Sequence, residues 1–314
     1  MSFCFKKKEL CDLSALCGEK VLMKILVIGS NGQLGWELCR RGKAHGFEII
    51  PLDIPEFDVT DPAAAKKAVN NPDISLVINA SAYTAVDKAE TEQELAFAIN
   101  RDGPGYLAAS CAEAGIPLIH ISTDYVFDGA KKEPYLETDP ISPLGVYGKS
   151  KAEGEAKVRH HLKEYIIIRT AWLYGIHGNN FVKTMLRLGK EKETLRVVAD
   201  QYGCPTCAAD LAEAGLTIAK QINERHDIAW GTYHFCGAGE TTWHGFAEKI
   251  FELARQYDSF VIKKVEPITT AEYPTPARRP FNSVMDCSML TKEFGIVPQP
   301  WSESLPLMVK NLYE

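Results

Sequence analysis

No apolar run in this 314-residue chain approaches the roughly 18 residues that a membrane-spanning helix requires, so no span is expected. Positive charge is not in excess either. The 35 Lys and Arg against 41 Asp and Glu leave a formal charge of −6, which argues against nucleic-acid binding through bulk electrostatics. An anionic ligand would have to be held locally, by helix N-termini or single arginines. A disulfide framework is also missing. The nine cysteines (Cys4, Cys11, Cys17, Cys39, Cys111, Cys204, Cys207, Cys236 and Cys287) are odd in number and scattered, as suits reduced thiols in a cytoplasmic protein. Lys6-Lys7-Lys8 leads into a broken, mixed stretch instead of an apolar secretory core. Residues 1–22 therefore read as an extension of unknown role or a misassigned start, with Met23 an alternative beginning. Internal repeats and low-complexity linkers are absent. What remains is an ordinary globular composition, 46% hydrophobic and 24% charged, long enough for one large domain or two modest ones.

Within that composition, Lys24–Gly29 is a short run rich in β-branched residues, the pattern of a strand buried on both faces. It enters Gly29-Ser30-Asn31-Gly32-Gln33-Leu34-Gly35, and a helical pattern follows over Trp36–Ala44. Strand, glycine turn and helix start suit a dinucleotide: glycine permits close backbone approach, and the helix N-terminus offers free N–H groups to a pyrophosphate. The next strand, Glu48–Leu52, ends at Asp53, which either binds an adenosine ribose or caps the strand end. An acid there disfavours a 2′-phosphate and so favours NADH over NADPH. Asp61-Pro62 reads as a helix N-cap and first turn.

Further strands are expected at Leu76–Ala80, Pro117–Ser122 and Tyr165–Arg169. The helical stretch Gln93–Ala114 is interrupted by Gly103-Pro104-Gly105 and is expected in two pieces, and Ser142-Pro143 reads as N-cap and N1 of the next helix. Alternating βα units predict an α/β fold with a doubly wound parallel sheet, Rossmann-like. Residues 23–172 would bind the dinucleotide. Residues 173–314 would form mainly a smaller α/β substrate lobe, with some segments returning to the core. There, a helix is expected near Asn180–Lys190, strands at Leu195–Ala199 and Thr232–Cys236, and a helix from Thr242 to about Tyr257.

Tyr147-Gly148-Lys149-Ser150-Lys151 sets a phenol and an ammonium four residues apart, on one helix face. A neighbouring ammonium lowers a phenol's pKa and makes it a usable general acid. Thr123, at the end of the preceding strand, can point at the same carbonyl oxygen. Together with Gly32–Gly35, Asn79–Glu90, Ser122–Gly129, Ser142–Glu155, Gly178–Leu186, Asp200–Thr206 and Arg279–Cys287, these residues give a close resemblance to the dTDP-4-dehydrorhamnose reductase family of extended short-chain dehydrogenases/reductases.

That resemblance implies reduction of a nucleotide-sugar ketone with NADH or NADPH. Tyr147 would be the proton donor, aided by Lys151 and Thr123. It implies cofactor contacts from Gly29, Asn31, Gly32, Gln33, Leu34, Gly35, Asp53, Asp58, Val59, Ala82, Tyr83, Thr84, Tyr147 and Lys151. The sugar site would be lined by Thr123, Asp124, Tyr125, Tyr147 and Trp172, and Arg279 either meets the substrate diphosphate or is simply solvated. Related dehydratases carry an Asp-Glu pair after this threonine; here Asp124 precedes Tyr125, which favours net reduction over dehydration. Some family members dimerise around Mg²⁺. Glu37 matches one ligand position but Ala209 replaces the other, so no metal is expected, and a homodimer stays open. Cys204 and Cys207 have C-x-x-C spacing without a second pair, which reads as coincidence. Two alternatives remain on the same fold: a reductase or epimerase of another nucleotide sugar, and a non-catalytic subunit resembling the regulatory subunit of methionine adenosyltransferase.

Overall fold

A computed structural model describes residues 22–314. Residues 1–21, with Cys4, Cys11, Cys17 and most of the expected extension, lie outside the described residues. The central sheet has six strands, in the spatial order Gly231–His234, Tyr165–Thr170, Leu118–Thr123, Ile74–Asn79, Met23–Ile28 and Phe47–Leu52. Every pairing in it is parallel. The strand order reverses between Met23–Ile28 and Ile74–Asn79, and at such a switch point the strand ends diverge to leave a crevice. The glycine turn, the Ala80–Thr84 segment, Thr123 and Trp172 all follow carboxyl ends of sheet strands.

The apolar run of the first strand divides between the two faces with period two. Ile25 and Val27 join a core with Leu34, Leu38 and Leu211 on one side, while Leu26 and Ile28 join Val77, Leu107 and Ala108 on the other. Full burial of each such side chain contributes about 1.5–3 kcal/mol. The helix Ala208–Glu224 packs on Gln33–Gly42 in the first of these cores, and Gly231–His234 then enters the main sheet. A separate core around Phe246, Ile250 and Leu305 joins the helices Phe181–Glu191, Trp243–Ala254 and Trp301–Tyr313 to the parallel pair Thr194–Val198 and Lys264–Ile268. The helices Ala208–Glu224, Ser288–Phe294 and Trp301–Tyr313 carry weak start signals. None has a side-chain N-cap, and Pro306 sits inside the last, so local chemistry under-reports them.

Two local expectations are corrected. Gln93–Ala114 is one continuous helical element: a π-turn over Ala98–Asp102 joins Gln93–Phe97 to Gly103–Ala114. Pro104 directly follows the π-turn, at the start of the Gly103–Ala114 segment. The tyrosine helix starts at Val146, not at Pro143. Ser142 donates its N–H to the Val126 carbonyl, and the helix start is capped from elsewhere in the chain, with the Val146 N–H donating to Glu90 Oε1 at 2.8 Å. Asp61 does cap its helix, accepting from the Ala63 N–H at 2.8 Å.

Candidate active site

The glycine turn is shaped by close backbone packing. Gly29 has φ +81°, and a Cβ there would lie 2.6 Å from the Ser81 nitrogen. A Cβ on Gly35 would lie 2.0 Å from the Gly29 carbonyl oxygen, so no side chain fits. The helix Gln33–Gly42 has Gly32 at its N-cap with no side-chain cap, which leaves first-turn N–H groups without side-chain partners. Asp53 bends back to this turn: its carboxylate accepts from the Asn31 N–H at 2.7 Å and from its neighbour Ile54 at 2.8 Å. Asp58 accepts from both the N–H and the hydroxyl of Thr60, and Val59 is buried beneath.

A cavity of ≈770 Å³ runs from this turn to the tyrosine helix. Of the residues proposed from sequence, Gly29, Gly32, Gln33, Leu34, Asp53, Asp58, Val59, Ala82, Thr84, Thr123, Asp124, Tyr125, Tyr147, Lys151 and Trp172 line it. Asn31, Gly35, Tyr83 and Arg279 do not. Tyr83 instead donates its hydroxyl to Glu92 at 2.5 Å, while Asn100 brackets its backbone. Arg279 is partly buried. Its guanidinium binds both carboxylate oxygens of Asp87, at 2.8 and 3.1 Å. Glu37 is buried and engaged by Arg40 at 2.8 Å and Arg41 at 2.9 Å. The C-x-x-C cysteines lie in different cores, Cys204 with Cys236 and Met285, and Cys207 with Val182 and Leu305.

Tyr147 lies in the first turn of its helix, which Gly148 lets approach the turn Asp124–Val126: a Cβ there would be 2.1 Å from the Tyr125 carbonyl oxygen. The Tyr125 ring meets Tyr147 edge-on, with centroids 5.4 Å apart. Burial pushes the Tyr147 phenol up to about 12, against the hydrogen bond with Thr123, and the Asp124 carboxylate adds to the rise. This reverses the expected depression by Lys151. The lysine is buried and donates to the Ile121 carbonyl oxygen at 2.7 Å, and burial lowers its own pKa to about 8, opposed by the charge of Glu155. Thr123 donates to Asp124 Oδ1 at 2.8 Å and accepts from the Tyr125 N–H at 3.2 Å. Asp124 is pushed up to about 6 by burial, against the hydrogen bond from Thr123.

Behind these groups, Glu155 ties the tyrosine helix to two strands. It accepts from Ser122 at 2.6 Å and, through both oxygens, from Arg169 at 2.9 and 2.7 Å. The sequence reading passed over Trp243, Gly178 and Asn179, which also line the cavity. Gly178 and Asn179 open the run Gly178–Leu186 already noted. Trp243 begins a helix far along the chain, and nothing local links it to the site.

The protein-family model described as the RmlD substrate binding domain matches residues 23–314. A dTDP-4-dehydrorhamnose reductase from Sinorhizobium fredii is 44% identical over 91% of this chain and 97% of its own length. The crystal structure of a dTDP-4-dehydrorhamnose reductase from Clostridium acetobutylicum, 44% identical, aligns over 93% of this chain and 100% of its own with TM-score 0.87. That of the Bacillus anthracis enzyme in complex with NADP, 38% identical, aligns over 92% and 99% with TM-score 0.84.

Proposed function

The chain belongs to the RmlD substrate binding domain family, and on that premise we propose that it reduces the C4 ketone of dTDP-4-dehydro-β-L-rhamnose, giving dTDP-L-rhamnose, with NADH or NADPH. It is accordingly an NAD(P)H-dependent oxidoreductase. The observation that carries this reading is a single cavity lined by the glycine turn together with Thr123, Tyr147 and Lys151. A dinucleotide fits the residues present: Gly29 and Gly35 leave no space for side chains at the turn, and first-turn N–H groups of the Gln33 helix lack side-chain partners. The Asp53 carboxylate, held on two backbone amides at the glycine turn, would meet an adenosine ribose and disfavour a 2′-phosphate there. The Bacillus anthracis relative nevertheless carries NADP, so both dinucleotides belong in the assay.

When bound, the reduced dinucleotide supplies a hydride to C4. Tyr147 delivers the proton to the carbonyl oxygen, and its raised pKa keeps the phenol in the acid form that reduction needs. The Thr123 hydroxyl has one proton and two neighbours able to accept it. While Asp124 is ionised that proton goes to Asp124, leaving Thr123 oxygen lone pairs for the Tyr147 hydroxyl. Once Tyr147 has given its proton away, rotation of the Thr123 hydroxyl stabilises the phenolate. Lys151, anchored on the Ile121 carbonyl, keeps positive charge in the cavity wall and has donors to spare for a ribose hydroxyl. Tyr125 stands where a dehydratase would carry a second carboxyl, so no base accompanies Asp124 for loss of water.

The test is oxidation of NADH or NADPH by the protein with freshly made dTDP-4-keto-6-deoxy sugar, run beside UDP- and GDP-sugars. A clear preference for a UDP- or GDP-sugar overturns the substrate assignment. Absence of any oxidation overturns the reaction.

Asp124 gives a second measurement. An unfolded aspartate ionises near ~3.9, and the buried Asp124 near about 6. Within that window the folded state holds the extra proton, so stability falls as pH rises, and the loss is complete above it. Asp124→Asn removes a penalty of about 3 kcal/mol. Its gain in Tm over the unsubstituted protein is expected to grow between about pH 4 and pH 6 and then level off. Its kcat/KM falls about 10- to 100-fold, because a charged acceptor for Thr123 is lost.

A further inference from the structure

Trp172 has φ +47°, the one positive φ at a non-glycine among the described residues. A bulky residue takes up this conformation only when its surroundings hold it there. Three contacts do so. The Trp172 carbonyl accepts from the Thr206 N–H at 3.2 Å. Its indole packs so tightly on Gly203 that a Cβ there would be 2.4 Å from Cε2. The third contact is Trp243, whose ring stacks on Trp172 with centroids 3.6 Å apart and planes 9° apart.

Trp243 is itself fixed. It is the first residue of its helix, and the preceding Thr242 hydroxyl caps that helix by accepting from the Gly245 N–H at 3.0 Å. Phe181 packs against the Trp243 ring at 4.6 Å and stacks in turn on Phe246, which is fully buried in the C-terminal core. A column of aromatic rings thus runs from that core to the cavity, whose wall both half-buried tryptophans share with Thr123 and Tyr147.

We infer that Trp243 is a positioning residue for sugar recognition: by stacking on Trp172 it holds that indole in the cavity wall, and the pair forms the apolar surface that receives the C–H side of the hexose ring of a nucleotide sugar. The inference rests on the proposed function for its ligand class. A hexose ring carries C–H groups that pack on aromatic surface while its hydroxyls turn to polar groups. Here those are Thr123, Asp124 and Tyr147. Without Trp243, Trp172 loses one of the three contacts that hold its unfavourable backbone, and its ring is no longer fixed in the wall.

Two tryptophans stacked this closely couple electronically, and a twist between their ring axes gives an exciton couplet in far-ultraviolet circular dichroism, measurable without substrate. Trp243→Ala and Trp172→Phe should each abolish the couplet. Trp243→Ala should raise KM for dTDP-4-keto-6-deoxy sugar about tenfold with a smaller change in kcat and no change in the Kd of the dinucleotide. Trp243→Phe, which keeps a stacking ring, should restore most of KM without restoring the couplet. An unchanged KM in Trp243→Ala overturns the inference, as does a couplet that survives in Trp243→Ala. If the unsubstituted protein does not turn over the keto-sugar, the functional reading falls by itself. Calorimetry with the same keto-sugar then tests the stack, and equal affinity in the unsubstituted protein and Trp243→Ala overturns it.

Discussion

Tyr147→Phe is expected to lower kcat by about 10²–10⁴-fold, the range that a positioned general acid contributes, while leaving dinucleotide affinity unchanged. The substitution removes one oxygen and keeps the ring. The edge-on contact with Tyr125 and the packing of the Val146–His161 helix therefore survive. What is lost is the proton held by burial in its phenol form beside Thr123. Thr123 cannot replace it, because an aliphatic hydroxyl is a far weaker acid than a phenol. NADH or NADPH oxidation in the presence of keto-sugar measures the loss, and fluorescence titration of the reduced dinucleotide measures binding. Activity retained within a factor of about ten would remove Tyr147 from the proton-donor role.

The second large effect concerns stability. Glu155 is fully buried, and Arg169, 4% exposed at its side chain, binds it through two hydrogen bonds. Burial alone would raise the Glu155 pKa. Hydrogen bonds and charge from Arg169, helped by Ser122 and Arg159, outweigh that and hold the carboxyl below its ordinary range. Glu155→Ala strands the Arg169 guanidinium in the core, above the Phe127 ring, and is expected to cost about 3–5 kcal/mol. Chemical denaturation at neutral pH reads this as a shift in midpoint. Because the folded pKa is depressed, the contribution of Glu155 is present above its unfolded pKa near ~4.3 and is lost as pH falls through the folded value. The double variant Glu155→Ala/Arg169→Met should recover part of the loss, since no unpaired charge remains buried. An equal or larger loss in the double variant would mean that the pair acts through packing alone. Ser122 and Arg169 lie on the strands that end in Thr123 and lead to Trp172, so milder substitutions at Glu155 should disturb the site before they unfold the chain.

What the sequence determined by itself is set by short-range chemistry. A β-branched run before closely spaced glycines specifies a buried strand, a tight turn and an exposed helix start. Spacing of four on a helix puts Tyr147 and Lys151 on one face whatever the rest of the chain does. A threonine ending a parallel strand arrives at the carboxyl edge of the sheet, where ligands bind in such folds. Family motifs spanning nearly all of residues 23–314 made the class legible too. Tertiary structure decided what those residues experience. The direction of the Tyr147 pKa depends on burial under the fold, and the Lys151 ammonium is taken up by a carbonyl 30 residues away. Arg279 is bound by Asp87, 192 residues earlier, and the tyrosine helix is capped by Glu90 and not by its own Ser142. Trp243 reaches the cavity only because a distant helix packs on the turn after the fifth strand of the chain. Desolvation, ion pairing and ring stacking are set by neighbours in space, and neighbours far apart in the chain leave no local pattern to read.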